Sequence, residues 1–566
     1  MMQKFKGECK KLVEKSIDKK LIKQVNFETP PKEIEADLSL PCFSFTKQIK
    51  TNPNIIAKEL SEKIMKKMST ASLIERIESI GPYVNFHINY VNFSKQVIKE
   101  ILTKKSKYGS EPRKNKNIII DYSSPNIAKP MTVGHLRSAI IGQSLYNTYT
   151  FLGYKCIGDN HLGDVGTQFG KLILSYKLWG NKKMVEKDPI KELLKLYVNF
   201  HKEAEKNKEL EDKAREWSKK LEQSDRQAVK LWKWFVRISI KEFNKVYRLF
   251  GIKFDYQLGE SFYLPMLKDV IKESLNKKVA KQSEGAVIIS LENYNLPPLL
   301  IQRSDTATLY STRDLAAIKY RKKKFRFDKC LYVVGSEQKL YFQQLFKASE
   351  LLGYSESDNC IHVCFGLMTL PEGKISTREG RVLFLEDLVK KSIELAEKII
   401  EDKNPKLKHK NRVAKQVGIG AIIFNDLKQD RIKDIKFDWN KALSFDGDSC
   451  PYVQYAYVRA NSILRKTKFN QAGYFNKIKY ENKQERILIK KLSEFPDVVK
   501  TSAEQYKPHF IAQYLLDMAT KFNDFYNTIR VVGTENEKQR ILLVKAVSTV
   551  LRNGLYLLNI ETPNEM

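Results

Sequence analysis

At 566 residues the chain is long enough for roughly three to four domains with sizeable cores. A 42% hydrophobic and 11% aromatic content excludes a disordered chain, and no apolar run approaches the roughly 20 residues that span a bilayer. One hundred Lys and Arg against 66 Asp and Glu leave a net charge of +34, a surplus that a polyanion such as nucleic acid would compensate. The alternative is a lysine-rich surface with no such partner.

In chain order, the N-terminus mixes Glu8, Glu14 and Asp18 with lysines. It lacks arginine and an apolar central stretch, unlike a signal or transit peptide. It reads as a helix with Leu12, Ile17 and Leu21 among its apolar positions. Turn chemistry at Thr29-Pro30-Pro31 precedes a helical pattern from Ile55 to Met68. Gly81 to Asn89 alternates like a half-buried strand. The basic stretch from Lys104 to Lys116 marks a boundary, which makes residues 1–108 a small α+β unit.

From Asn117 to about Leu388, short apolar runs at Ile118–Ile120, Leu331–Val334 and Ile361–Leu367 alternate with helical segments. That alternation predicts an α/β domain with a parallel sheet over residues 116–390. Pro189 to Phe250 is a charged helical insertion, and Ala286–Leu291 with Leu299–Gln302 predicts an inserted hairpin. Beyond Lys390 only helical patterns occur, divided here into a junction (391–440) and a terminal bundle (441–566). Its clearest helix carries Ile511, Leu515, Met518, Phe522 and Phe525 on one face.

The segment from Asp121 to Gly142 holds the densest chemistry. An apolar strand runs into Asp121 and the Ser123-Ser124-Pro125-Asn126 turn, and Gly134-His135 then opens a helix. Ligands bind outside the carboxyl ends of parallel strands, and helix N-termini favour anions. A glycine for close approach and a donor histidine there suit a nucleotide's phosphates.

The string from Ser123 to Gly142 resembles the signature region of arginyl-tRNA synthetases, a class I aminoacyl-tRNA synthetase family. The likeness continues in order through Asn160–Asp164, Tyr310–Ala317, Val334–Gln338, Lys374–Gly380, Pro451–Ala456 and Arg552–Leu555. Leu40–Phe43 and Gly81–Phe86 resemble the family's additional N-terminal domain. The resemblance thus covers nearly the whole chain. It implies a Rossmann-like parallel sheet core, an N-terminal tRNA-binding α+β domain and a C-terminal all-α anticodon-binding bundle.

The implied reaction is ATP-dependent activation of L-arginine to arginyl-adenylate, then transfer to the 3′ end of tRNA(Arg), with activation waiting for bound tRNA. ATP is a substrate, Mg2+ accompanies it, and no zinc or other resident metal is expected. Cys360-x-His362-x-Cys364 has no second ligand pair, so core packing is the better reading there. Carried onto this chain, the resemblance makes His135, Lys129 and Lys374 the catalytic set. Thr132, Gly134, His135, Lys374, Ser376 and Arg378 are then the ATP contacts. Thr132 stands where the family has a histidine and Thr377 where it has a second lysine, a charge Lys129 is thought to replace.

A planar guanidinium is best met by a carboxylate that accepts two parallel N–H bonds. By the same resemblance Asp121, Ser124, Asn126, His135, Tyr310, Asp314 and Gln338 bind arginine. Taken alone, Asp314 could instead pair with Arg313 or Arg321. His161 either touches the ligand or shapes its pocket. Tyr83 and Asn85 are the expected tRNA contacts, with a half-buried core position the alternative for Tyr83. Seven cysteines without framework spacing suit reduced thiols, so a cytoplasmic protein is expected, without membrane contact and acting as a monomer.

Overall fold

A computed structural model describes residues 1–31, 33–69, 72–356, 358–369, 385–444, 446–467, 475 and 478–566. The first helix, Met2–Glu14, turns Met2, Phe5, Cys9 and Val13 inward. Its buried stripe therefore runs beside, not through, the expected Leu12 and Ile17, which are only partly buried. Three antiparallel strands follow: Leu38–Pro41, Ile74–Ile80 and Tyr83–Ile88, the last lying in the centre. The helix Pro53–Met65 buries Ile56, Ala57, Leu60 and Ile64 beneath this sheet.

The basic boundary segment is not simply a solvated link. Tyr108 within it is fully buried, its ring stacked on Phe495 at 6.1 Å and its hydroxyl donating to the Leu492 carbonyl at 3.0 Å. Asn553 donates its amide to the Lys105 and Tyr108 carbonyls at 3.0 and 3.3 Å. The C-terminal helices thus clamp the exit of the N-terminal domain, and Lys490 reaches Asp37 at 2.6 Å to hold its sheet as well.

The second sheet is all parallel. Its order is Cys360–His362, Lys329–Tyr332, Asn117–Asp121, Lys155–Asp159. Ile118, Ile119 and Ile120 are buried on both faces, as a strand between helical layers requires. The helix Val133–Phe151 returns the chain across one face. The insertion consists of the helices Pro189–Lys206, Glu209–Glu222 and Arg226–Leu249. The predicted hairpin gains a third strand, Ala280–Ser283, paired antiparallel beside Ala286–Ile289 and Leu299–Gln302. Polar Lys281 and Gln282 hide that strand from a hydrophobicity pattern.

From Leu385 onward every long described element is a helix. Leu385–Lys403 pairs with Lys410–Leu427, and Cys450–Arg465, Lys483–Glu504, His509–Thr528 and Glu537–Leu557 build the terminal bundle. The Ile511, Leu515, Met518, Phe522 and Phe525 stripe is wholly buried there, which makes it core. Among the described residues, no helix is long and apolar enough to cross a membrane.

Candidate active site

The carboxyl ends of the parallel strands converge on one cleft. Just past Asp121 the chain makes two successive left-handed residues, Ser123 (φ 74°) and Ser124 (φ 45°). Such residues cost of order 1 kcal/mol or more each unless their surroundings impose them. Here the surroundings do. The Ser123 N–H donates to Ser138 Oγ at 2.9 Å, and the Ser124 N–H donates to Asn160 Oδ1 at 3.1 Å. The Ser124 hydroxyl donates to Asp121 Oδ1 at 2.9 Å. Asn126 lies against Gly163, where an added Cβ would stand 2.3 Å from Asn126 Oδ1. Glycine is required at 163 for that close packing.

Thr132 ends the loop and opens the helix Val133–Phe151 through a reciprocal capping box with His135. The Thr132 N–H donates to His135 Nδ1 at 3.0 Å. Nδ1 is thus the acceptor, and the neutral ring carries its proton on Nε2. Burial, and after it the Lys129 charge, pull the His135 pKa down to about 4. The ring is therefore neutral near pH 7 and offers an uncharged Nε2–H. A strand-to-helix turn capped by a histidine is the plain structural reading of this segment, and that cap is present, with Thr132 as its partner.

Gly134 is exposed, and a Cβ there would meet only Thr132 Oγ1, at 3.6 Å. Nothing in the protein itself demands a glycine at 134. Lys129 lies with its ammonium 5.4 Å from the centre of the Tyr197 ring, on the inserted helix. Lys374, Ser376, Thr377 and Arg378 fall outside the described residues.

Opposite, the helix Tyr310–Phe325 presents Tyr310 and Asp314 one turn apart. Tyr310 is 54% exposed and packs edge-on against Tyr341 with centroids 4.9 Å apart. The Tyr341 hydroxyl donates to Asp314 Oδ2, and His161 Nε2 stands 3.6 Å from Asp314 Oδ1. Neither arginine that could have neutralised Asp314 does so. Arg313 Nε faces Glu260 at 3.2 Å, and Arg321 reaches both Asp121 and Asp159 at 2.7 Å. Burial pushes the Asp314 carboxyl above the usual carboxylate range. It is an uncompensated acid in a partly enclosed corner.

Asp121, expected among the arginine ligands, is buried and committed to Arg321 and to the Ser124 hydroxyl. Gln338 is exposed at the end of the turn Ser336–Gln338, just beyond the strand Lys329–Tyr332. Two buried arginines, of which the sequence offered Arg321 only as a partner for Asp314, support the site from below. Arg321 ties the ends of two strands, and Arg137 has all five N–H groups occupied. Its Nε donates to Asp426 (3.2 Å), and its two terminal nitrogens to the carbonyls of Gly366, Leu367, Arg431 and Lys433. A lone arginine in a helix with no other Lys, Arg, Asp or Glu was the available signal for Arg137.

His362, in the cysteine-flanked motif, donates from Nε2 to the Val334 carbonyl at 3.0 Å and stacks on Phe342 at 4.5 Å. In the N-terminal sheet, Tyr83 is half-buried beside exposed Phe43, with ring centroids 5.8 Å apart. Asn85 is fully buried. Its Oδ1 accepts from Ser39, while its Nδ2 has no partner among the described residues. Its side chain lies inside the domain, not on the surface where a base would approach.

Three family models match successive parts of the chain. "Arginyl tRNA synthetase N terminal domain" fits residues 2–88, "tRNA synthetases class I (R), catalytic domain" residues 97–439, and "DALR anticodon binding domain" residues 453–566. An arginine–tRNA ligase of Halothermothrix orenii is 47% identical over 99% of this chain and 100% of its own length. One from Clostridioides difficile is 44% identical over the full length of both. The crystal structure of arginyl-tRNA synthetase from Plasmodium falciparum superposes with a TM-score of 0.81 at 25% identity, covering 99% of each chain. That of Thermus thermophilus gives 0.79 at 23% identity, over 98% of this chain and all of its own, and so shares the fold. The chain belongs to the class I arginyl-tRNA synthetase family.

Proposed function

We propose that this cleft activates L-arginine with ATP and passes the arginyl group to the 3′ end of tRNA(Arg), with Asp314 as the acid that selects the guanidinium. The observation that carries this is that, among the described residues, no lysine or arginine pairs with Asp314, although two arginines stand on the same helix. An arginine side chain supplies the missing charge and two parallel N–H donors. Tyr310 flanks it, and Ser124, Asn126 and Gln338 lie where the α-amino and carboxylate groups need partners. Asp121 acts one step back, by orienting the Ser124 hydroxyl.

The arginine carboxylate attacks the ATP α-phosphate in line, pyrophosphate leaves, and a ribose hydroxyl of the tRNA then takes the arginyl group. Little covalent work falls to the protein, so positioning and stabilisation of charge on phosphate oxygens dominate. The neutral His135 Nε2–H donates to such an oxygen without carrying a charge to be desolvated. Lys129 adds a cation, and Gly134 leaves room for the nucleotide to approach the backbone. Lys374, Ser376 and Arg378 complete the phosphate contacts on this reading. Among the described residues no group of three or more His, Cys, Asp or Glu could hold a metal ion. Magnesium enters with the ATP substrate on this reading.

Tyr83, paired with Phe43, is the stacking surface of the N-terminal domain for an unstacked tRNA base. The functional divisions fall at 1–108, 116–390, 391–440 and 441–566, the last reading the anticodon. One chain carries every group invoked, so a monomer suffices, and seven free cysteines suit a reducing, cytoplasmic compartment. The purified protein, given each amino acid with bulk tRNA and ATP, should charge arginine alone. Charging with another amino acid, or tRNA binding without any charging, would overturn the reading.

A further inference from the structure

Next to Asp314 stands a group whose hydrogen-bonding capacity is unused. His161 Nδ1 lies 3.1 Å from the Leu258 carbonyl oxygen, which can only accept, so Nδ1 carries a proton. In the neutral imidazole Nε2 is then a lone-pair acceptor. That atom is buried and has no hydrogen-bond partner among the described residues. Its nearest charged neighbour is Asp314 Oδ1 at 3.6 Å, also an acceptor. With the ring neutral, two acceptors face each other across this gap and a donor brought by a ligand closes it; a proton on Nε2 would instead pair the ring with Asp314.

The ring cannot swing away to find another partner. It packs on the fully buried Tyr263 with centroids 5.5 Å apart. The residues around it in the chain are also fixed. Asn160 is held by the Ser124 N–H and the Tyr247 hydroxyl, and Asp164 accepts from both the N–H and the hydroxyl of Ser261. Yet the pair is reachable, since the His161 and Asp314 side chains are 13% and 24% exposed.

We infer that His161 is a specificity-determining residue, whose Nε2 lone pair accepts an N–H of the substrate guanidinium beside the N–H groups taken by Asp314. This rests on the arginine reading above and deepens it. A guanidinium has five N–H donors in a rigid plane and no acceptor. It can serve a carboxylate and an imidazole lone pair at once. An amino acid ending in a urea or amide brings a carbonyl oxygen to the same corner, where it meets a lone pair and leaves buried acceptors unpaired. A lysine ammonium, a point donor on a longer stem, cannot span both acceptors in one plane.

Two substitutions separate this role from a structural one. His161→Asn places an amide N–H where Nδ1–H now donates to Leu258 but removes the outer acceptor. His161→Gln does the reverse, with a carbonyl oxygen near the position of Nε2. Arginine-dependent aminoacylation kinetics on the full-length protein should show KM for arginine rising roughly tenfold to a hundredfold in His161→Asn. kcat and KM for ATP should hold, and His161→Gln should stay within about threefold of the parent. Melting curves on both variants confirm that each folds. An arginine KM in His161→Asn that is unchanged or lowered overturns the inference, as does a His161→Gln that fares as badly. If the parent itself charges no arginine, the functional reading fails instead, so the two failures are distinct.

Discussion

Two acid clusters occupy the helix Tyr310–Phe325, separated by two turns, and they are built to opposite ends. At the inner one, Arg321 is fully buried with the Asp121 and Asp159 carboxylates both at 2.7 Å. At the outer one, Asp314 has a tyrosine hydroxyl, an imidazole at 3.6 Å and, among the described residues, no lysine or arginine. The inner cluster carries its own guanidinium; the outer one has the acceptors for a guanidinium and lacks it. On the proposed reading, the compensated acid is scaffold and the uncompensated one recognises the substrate.

The sharpest way to break that contrast is Asp314→Asn. Removing the charge should cost about a thousandfold or more in kcat/KM for arginine, because a neutral amide leaves the guanidinium unpaired. Steady-state aminoacylation measures it, with KM for ATP as the control; a loss below tenfold would move the guanidinium elsewhere. Next comes Arg321→Leu, which strands two buried carboxylates and should destabilise the protein by about 3–5 kcal/mol in denaturant unfolding. Adding Asp159→Asn should recover part of that loss, and no recovery would mean the arginine acts through packing alone.

A smaller effect attends Tyr341→Phe. The hydroxyl holds one Asp314 oxygen in place before substrate arrives. Its loss should raise KM for arginine severalfold, by about 1 kcal/mol of preorganisation, with kcat unchanged. A changed kcat would place Tyr341 nearer the reacting atoms. The last effect is conditional on pH and concerns the neutral ring of His135. His135 has a folded-state pKa of about 4 against an ordinary 6.5, so the unfolded chain takes up its proton first as the pH falls. The contribution is fully present above pH 6.5 and is lost between 6.5 and 4, at no more than about 1.4 kcal/mol per pH unit. The difference in stability between the parent and His135→Asn, followed across that window, should slope accordingly. A flat difference would mean that the ring titrates in the fold as it does in the unfolded chain.

The order of domains, the parallel sheet and the opposed faces of the cleft were legible because motifs and periodicity both report local structure. Gly134, His135, Tyr310 and Asp314 stood out by type and spacing. What the sequence hid was compensation. Asp121 and Asp314 look alike in a string, and only the fold reveals that Arg321, some two hundred positions from Asp121, has taken one of them. Asn85 was expected at the tRNA by resemblance alone; it sits in the central strand of its sheet, where Val84, Asn85 and Phe86 are all buried. Tyr341 carried no motif at all. Its importance comes from a contact made across two helices.

Arg137 has a mechanical meaning beyond its place beneath the cleft. Each of its N–H groups is committed to a different acceptor, spread over three stretches of chain. One is the strand exit at Gly366 and Leu367, another the end of the helix Lys410–Leu427 at Asp426, and the third the turn at Arg431 and Lys433. A flat, fully bonded guanidinium resists shear, since sliding any one stretch strains bonds to the other two. The first turn of the helix bearing His135 is thereby riveted to the junction that leads into the terminal bundle. Any tilt of that bundle would pull on the same rivet, two residues away from His135.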